Sequence, residues 1–200
     1  MNQFEEIKNE ILERARKARA CSRQYKRAYQ SENIETLCDV IKDNFWWCCR
    51  NDVLDDELID NYGEIFSENK IYHNVSVKNG FLLVSGNSTV KAYGNSTVEA
   101  YDRSTVETYD RSTVEAYDSS TVKAHDNSTV NAHDDSTVKA YNISTVEAYD
   151  NSTVEAYNKS YINCCSTVEC VIKDNSIVRR WDLNTIQYAS DKLKFEKILA

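Results

Sequence analysis

The sequence predicts an α+β protein: a parallel β-solenoid of octapeptide repeats, preceded by an N-terminal helical bundle and closed by a short C-terminal capping helix. Three observations carry this. A unit of eight residues recurs from Ser88 onward, with serine at its first position in Ser88, Ser96, Ser104, Ser112, Ser120, Ser128, Ser136, Ser144, Ser152 and Ser160. Within each unit Ser-Thr-Val-Glu-Ala alternates small or apolar with polar residues, the period of a half-buried strand, and Asp-Asn, Asp-Arg or Asp-Asp follows as turn chemistry. Upstream of the repeat, apolar residues recur instead at three-to-four spacing. A single octad cannot bury its inward face, whereas stacked coils can, so the repeat reads as a solenoid.

Residues 1–70 form the helical domain. Phe4, Ile7, Ile11, Ala15, Ala18, Ser22, Tyr25 and Tyr29 predict one helix over 3–29. A second begins after Ser31 or Asn33, carries Leu37, Ile41, Phe45 and Trp46, and ends near Asn51. A third runs from Asp55 to Phe66 with Leu58, Ile59, Tyr62 and Ile65 on its apolar side. The expected core of this three-helix domain is Phe45, Trp46, Trp47, Leu54, Ile59 and Phe66, and the segment IYHNVSVKNGFLLV would let it plug the N-terminal end of the solenoid.

The solenoid takes residues 71–190. GFLLVSGN (Gly80 to Asn87) is a degenerate first unit, and Val168, Cys170, Ile172, Ser176 and Val178 keep the register, giving roughly fourteen octads. Positions one, three and five (Ser, Val, Ala) face inward, and positions two, four and six (Thr, Glu or Lys, Tyr or His) face outward. Inward residues enlarge near the end, to Ile162, Cys164, Val168, Cys170 and Ile172. Open solenoid ends need caps. The terminal SDKLKFEKILA supplies one, a helix over 191–200 with Ser190 as N-cap and Leu193, Ile198 and Leu199 apolar.

Charge at position four votes on coil size. Two octads per coil stack Lys123 on Lys139 and Glu99 on Glu115. Three octads give Lys91-Glu115-Lys139, Glu99-Lys123-Glu147 and Glu107-Asn131-Glu155, with no like charges in contact. The expectation is therefore a three-sided coil of three octads, although the small inward residues also suit a flat two-sided one. Position seven stacks Asp on Asp in either arrangement, with only Lys and Arg at position eight to screen it.

Composition narrows the function classes. Lys and Arg number 24 against 32 Asp and Glu, a net charge of −8, of which −7 lies within residues 80–191. That acidity argues against direct nucleic-acid binding by the rod. No apolar run reaches membrane-spanning length, and MNQFEEIKNE is too charged for a secretory signal, so a cytosolic protein is expected. The seven cysteines are odd in number and lack a C-x-x-C, which fits a reducing compartment and no zinc site, with Cys164 and Cys170 as core residues. His125 and His133 occupy the Tyr position of their octads, carboxylates recur by repetition rather than as a unique acid/base pair, and neither a phosphate loop nor a nucleophile elbow is present. The expectation is no enzyme, no cofactor and no metal. Asn-Ser-Thr at Asn87, Asn95, Asn127 and Asn151 is a by-product of the turn, and charged residues at position four interrupt the Thr ladder that ice binding would require.

The candidate contact surface is the acidic, Tyr-lined rod: Glu99, Tyr101, Asp102, Glu107, Tyr109, Asp110, Glu115, Tyr117, Asp118, Glu147, Tyr149, Asp150, Glu155 and Tyr157. Tyr is favoured at interfaces, and spaced carboxylates can imitate a phosphate backbone. A second candidate is the basic stretch Arg14, Arg16, Lys17, Arg19, Arg23, Lys26 and Arg27 on the first helix, which could touch nucleic acid or an acidic partner.

The tandem STVEAYD octads, following the Trp- and Cys-containing segment DVIKDNFWWCCRNDVLDDELIDNYGEIFSENKIYHNVSVKNGFLLV, resemble repeat proteins of unknown function encoded by phages and mobile elements of gut-type bacteria. The resemblance covers most of the chain from about Leu37 onward, implies a β-solenoid in a mobile-element context and brings no active residues. Acidic pentapeptide-repeat solenoids, some of which mimic DNA, are similar in principle but have a five-residue period. With that context, the leading expectation is a non-enzymatic interaction protein, a phage-encoded inhibitor in the host cytosol of a defence or nucleic-acid-binding complex such as a nuclease. The alternative is a structural or assembly module of a phage particle or homo-oligomeric scaffold. A third reading puts an enzyme or small-ligand sensor at Trp46, Trp47, Cys48 and Cys49.

Overall fold

The structure, a computed structural model, describes residues 2–189. Among the described residues six helices precede sixteen strands. The helices are α1 (Gln3–Lys17), α2 (Ser22–Tyr29), α3 (Ile34–Asp43), α4 (Phe45–Arg50), α5 (Asp56–Asn61) and α6 (Gly63–Glu68). Each of the three helices expected from the sequence is therefore two. Apolar periodicity runs through the breaks because both halves bury the same side, so backbone caps rather than hydropathy decide them. At the first break Arg19 adopts φ 57°, and the Ala20 amide bonds back to the Ala15 carbonyl at 2.9 Å, a Schellman-type ending carried by a non-glycine residue. At the second, Asn44 leaves the helical region and its side-chain amide donates to the Val40 carbonyl at 2.7 Å. Tyr62 makes the third break, at φ −123°.

Strands follow in chain order: β1 (Ile71–His73), β2 (Val77–Lys78), β3 (Phe81–Val84), β4 (Thr89–Tyr93) and β5 (Thr97–Ala100). Then come β6 (Thr105–Thr108), β7 (Thr113–Ala116), β8 (Thr121–Ala124), β9 (Thr129–Ala132), β10 (Thr137–Ala140) and β11 (Thr145–Ala148). The last are β12 (Thr153–Ala156), β13 (Tyr161–Cys164), β14 (Glu169–Ile172), β15 (Ile177–Arg180) and β16 (Thr185–Tyr188). Odd-numbered strands from β1 to β15 build one parallel sheet, to which β16 adds antiparallel, and even-numbered strands from β2 to β14 build the other. The parallel solenoid expected from the octad is thus present, with Ser, Val and Ala buried and Thr and position four outward.

Coil size is different from the charge-based expectation. Val98 pairs with Val114 and Val106 with Val122, a rise of 16 residues per coil. Two octads make a flat, two-sided coil, and six such turns run from β3 to β14, a rod of about 29 Å. Both like-charge contacts that counted against this arrangement exist in register, and both are relieved. Lys123 and Lys139 lie side by side but turn apart, Lys123 to Glu107 at 2.9 Å and Lys139 to Glu155 at 3.2 Å. Glu99 beside Glu115 is covered by the helical head and has no exposed surface.

The Asp-on-Asp stack has a backbone reason. Position seven takes the left-handed conformation at every regular turn, from Asp102 (φ 60°) through Asp110, Asp118, Asp126, Asp134, Asn142 and Asp150 to Asn158. Asp and Asn tolerate this region better than other side chains. The turn closes with the next serine amide on the position-six carbonyl (Ser104 to Tyr101, 3.2 Å), and the position-eight amide bonds to the coil below (Arg103 to Gly86, 3.0 Å). Along the odd-strand edge the position-seven amide turns instead to the aspartate one coil above. Gly86 donates to Asp102 at 2.8 Å, Asp102 to Asp118 at 3.1 Å and Asp118 to Asp134 at 3.3 Å. Along the odd-strand edge a charge-assisted bond at each step from Gly86 to Asp150 offsets the repulsion between neighbouring carboxylates.

The head packs on the outer side of the odd-strand sheet rather than across its open end. Its core of Ile7, Leu37, Leu54, Leu58 and Phe66 is continuous with Ile71 and Leu83, and Phe45 meets Phe81 edge-on at 5.3 Å. Trp46 and Trp47, expected in that core, lie at its margin, with Trp46 42 % exposed. The N-terminal end of the rod is covered by the short β1 and β2, where Tyr72 packs against the solenoid core. At the other end β16 turns back antiparallel; the helix expected over 191–200, with its cap Ser190, lies outside the described residues.

Candidate functional site

Two octads per coil divide the repeat into two halves that the sequence alone treats as equivalent. One half is the odd-strand sheet with the turns that follow it; the other is the even-strand sheet with its turns. Over the four regular coils, residues 97–160, the odd half holds Glu99, Asp102, Glu115, Asp118, Asp134, Asp135, Glu147 and Asp150 against one cation, Arg103, a net charge of −7. The even half holds Glu107, Asp110, Asp126 and Glu155 against Arg111, Lys123, Lys139 and Lys159, a net charge of zero.

Within the even half, the position-four charges neutralise one another along the sheet. Glu107 is clamped between Lys123 at 2.9 Å and Lys91 at 3.1 Å, and the hydrogen bonds from those two ammonium groups pull its carboxyl down to about 2. Glu107 and Glu155, both expected on the contact surface, are thus internally paired. Asp110 lies on the even edge, where Asn142 and Asn158 interrupt the acidic row. In the odd half Asp102, Asp118, Asp134 and Asp150 follow without interruption, all exposed at the turns, with Asp135 beside them. Glu115 accepts from Asn131 at 2.6 Å, with His133 at 3.5 Å. Asp134 and Asp135 escape the STVEAYD pattern because their octad carries His-Asp-Asp.

The tyrosines form two ladders, one beside each sheet. Tyr93, Tyr109, His125, Tyr141 and Tyr157 stack at 4.8–5.0 Å between centroids, and Tyr101, Tyr117, His133 and Tyr149 at 4.9–5.2 Å. Ring faces are therefore spent on neighbouring coils. Hydroxyls donate to the glutamate two residues back, Tyr149 to Glu147 at 2.7 Å and Tyr157 to Glu155 at 2.5 Å. Where position four is Glu, what Tyr presents outward is ring edge and a committed hydroxyl, so the ladders act mainly as lateral bracing.

The head buries two of the expected contact residues, Glu99 and Tyr117, and partly covers a third, Tyr101. Trp46 donates its indole N–H to the Tyr117 hydroxyl, and the Arg50 guanidinium lies 5.3 Å from the Trp46 ring and 5.6 Å from Tyr117. Tyr117 is 6 % exposed, Tyr101 is half-buried and Glu99 is fully buried. Glu99 has one oxygen with no partner, the other accepting from Tyr101 at 3.5 Å. Desolvation, with Glu115 adding to it, raises its carboxyl to about 9, so it is neutral in the docked state near pH 7.

The basic stretch does not lie on one helix. Arg14, Arg16 and Lys17 sit on α1, Arg19 in the turn, and Arg23, Lys26 and Arg27 on α2. Arg14 is bound to Asp55 at 2.6 Å and Glu10 at 2.8 Å, Lys17 to Glu13 at 2.8 Å and Arg27 to Asp43 at 2.6 Å. Trp46, Trp47, Cys48 and Cys49 do not converge either: Trp46 faces the rod, whereas Trp47 and Cys48 line a mainly apolar cavity of about 260 Å³ among α1–α4. Burial pushes the Cys48 thiol up to about 12, which leaves it un-ionised near neutrality. Among the described residues no group of His, Cys, Asp and Glu could hold a metal ion, and no helix is long and apolar enough to cross a membrane. No protein-family model, curated protein or solved structure matches the chain.

Proposed function

We propose that this chain is a non-enzymatic interaction protein, an inhibitor that offers the acidic half of its solenoid to the basic groove of a nucleic-acid-binding complex, with a phage or mobile element as its source. The segregation of charge carries this reading: a net −7 on one half of four coils, zero on the other. With Glu99 neutral beneath the head, the charge left on that half is −6. At about 4.8 Å per coil, this is roughly one net charge per 3 Å of rod, close to the ~3.4 Å per phosphate along one DNA strand. The aspartate amide bonds and stacked rings hold that array rigid, so little entropy is lost on docking.

The test is competition with duplex DNA for a panel of nucleases and DNA-binding proteins. The wild-type chain displaces DNA from at least one of them, more weakly as salt rises. Replacing Asp118, Asp134, Asp135 and Asp150 by Asn removes the displacement. Replacing Glu107 and Glu155 by Gln and Asp126 by Asn leaves it intact. Equal loss in both variants, or no displacement by the wild type, overturns the proposal.

A second reading, a structural or assembly module, draws on the C-terminal end. Trp181, Leu183 and Ile186 are 48 %, 56 % and 62 % exposed around the antiparallel edge strand β16, and such an edge can pair with another chain. A sedimentation experiment that finds a stable oligomer, lost in Ile186→Lys, favours this second reading.

A further inference from the structure

Three successive octads break the repeat's rule for inward positions, and their side chains meet. Cys164 stands at position five of β13, where the regular octads carry Ala or, once, Thr. Cys170 stands on β14 where the earlier regular strands of that sheet carry Val, in register with Val154. Arg180, on β15 directly after Cys164 in the sheet, puts a cation at a position that is elsewhere small and apolar. The two sulfurs lie 3.6 Å apart across the core of a single coil. A guanidinium nitrogen of Arg180 lies 3.8 Å from the Cys164 sulfur and donates to the carbonyls of Cys165 at 2.8 Å and Val168 at 3.1 Å, which fixes it over the pair.

Packing alone would need neither the contact nor the cation. Arg180 is partly buried, so its charge calls for some compensation, and its acceptors, the carbonyls of Cys165 and Val168 and the Gln187 side-chain oxygen at 3.3 Å, carry none. A thiolate beside it supplies that compensation. The Cys164 thiol is held below its ordinary value, first by the hydrogen bond from Cys170 and then by Arg180, against the opposing effect of burial. Cys164 has no exposed surface, but Cys170 beside it is only partly buried, so a small oxidant reaches the pair from the Cys170 side.

We propose that Cys164 and Cys170 are a redox-active dithiol that closes to a disulfide when the protein meets hydrogen peroxide, pinning the two sheets together at the last full coil. The Cys164 thiolate attacks the peroxide, the O–O bond breaks, and sulfenic acid forms as one water leaves. The Cys170 sulfur, after losing its proton, attacks the sulfenic sulfur, the S–O bond breaks, and the disulfide forms with a second water. Two thiols are oxidised by two electrons and one peroxide is reduced to two waters. A small dithiol reverses the step.

The experiment treats the whole chain with hydrogen peroxide, blocks remaining thiols by alkylation and maps the digested peptides by mass spectrometry. Exposed Cys21 reports that oxidant was active. The expected result is a linked peptide joining Cys164 to Cys170, formed in the Cys165→Ser variant as well and lost on adding dithiothreitol. The linked form also melts several degrees higher than the reduced form. Arg180→Gln slows the linkage about threefold or more near neutral pH, with the difference shrinking at alkaline pH, where the thiol ionises without help. Oxidised Cys21 with Cys164 and Cys170 both still free, or a linkage whose rate ignores Arg180 at every pH, overturns the proposal.

Discussion

The helical head and the solenoid hold themselves together in opposite ways. The head concentrates its stability in large side chains that occur once each: Phe66, Leu58, Leu54 and Leu37 have no exposed surface and no substitute nearby. The rod spreads its stability over dozens of small, equivalent contacts, a Val and an Ala per octad with a serine at the corner whose hydroxyl often folds back on a carbonyl, as Ser96 does on Tyr93 at 2.8 Å. In the first region the information is in particular residues; in the second it is in the repetition, and each coil answers only to its neighbours.

Paired substitutions test this contrast most directly. Leu58→Ala should cost the head about 2–5 kcal/mol by lost burial and cavity formation, enough to unfold most of so small a domain. Val130→Ala in the middle of the rod should cost about 1–3 kcal/mol, because less is removed and both neighbouring coils remain. Helical and strand signals followed through one chemical denaturation would separate them; equal losses would show that the rod is as dependent on single residues as the head.

The contact between the two regions can be sharpened by pH. Glu99 carries a folded-state value of about 9, well above its ordinary one near 4.5. Below about 4.5 it is protonated folded or unfolded and has no effect. Between about 4.5 and 9 only the unfolded chain gives up the proton, so stability falls steadily as pH rises. Docking of the head should therefore be firmest in mild acid, and melts should show the transition moving down by several degrees from pH 5 to pH 9. Glu99→Gln should flatten that slope. A slope unchanged in the variant would move its origin to another group.

The smallest expected effect concerns the turns. Asp118→Ala removes the acceptor for the Asp102 amide and puts a less tolerant side chain at φ 55°, for about 1–2 kcal/mol. Asp118→Asn keeps an acceptor and the conformation, as Asn142 and Asn158 do naturally, and should cost well under that. Equal melting temperatures for the two variants would break the argument that the aspartate ladder is a backbone device.

Much of this was legible in the repeat. Octad period, strand, turn and inward residues all follow from a local alternation that each unit states again. Coil size was not, because charge contacts count only if they are symmetrical along the stack, and here they are not. Lys123 and Lys139 can each choose one neighbour, and Glu99 escapes its neighbour by a burial that only the docked head creates. The acidic half was hidden for the same reason: its eight carboxylates become one surface only when alternate octads are sorted onto different sheets. The helix breaks were hidden because Arg19 and Asn44 do by backbone conformation what a glycine or proline would have announced.

Two octads per turn also set a rule for how such a chain can change in length. A duplication of one unit would send every later strand to the opposite sheet, and the downstream acidic and neutral sides would trade places. A duplication of two units would lengthen the rod and leave its polarity intact. Inheritance of the charged side therefore depends on the parity of copy number, and lineages that keep it should differ in length by steps of 16 residues, as the pairing of Val98 with Val114 dictates.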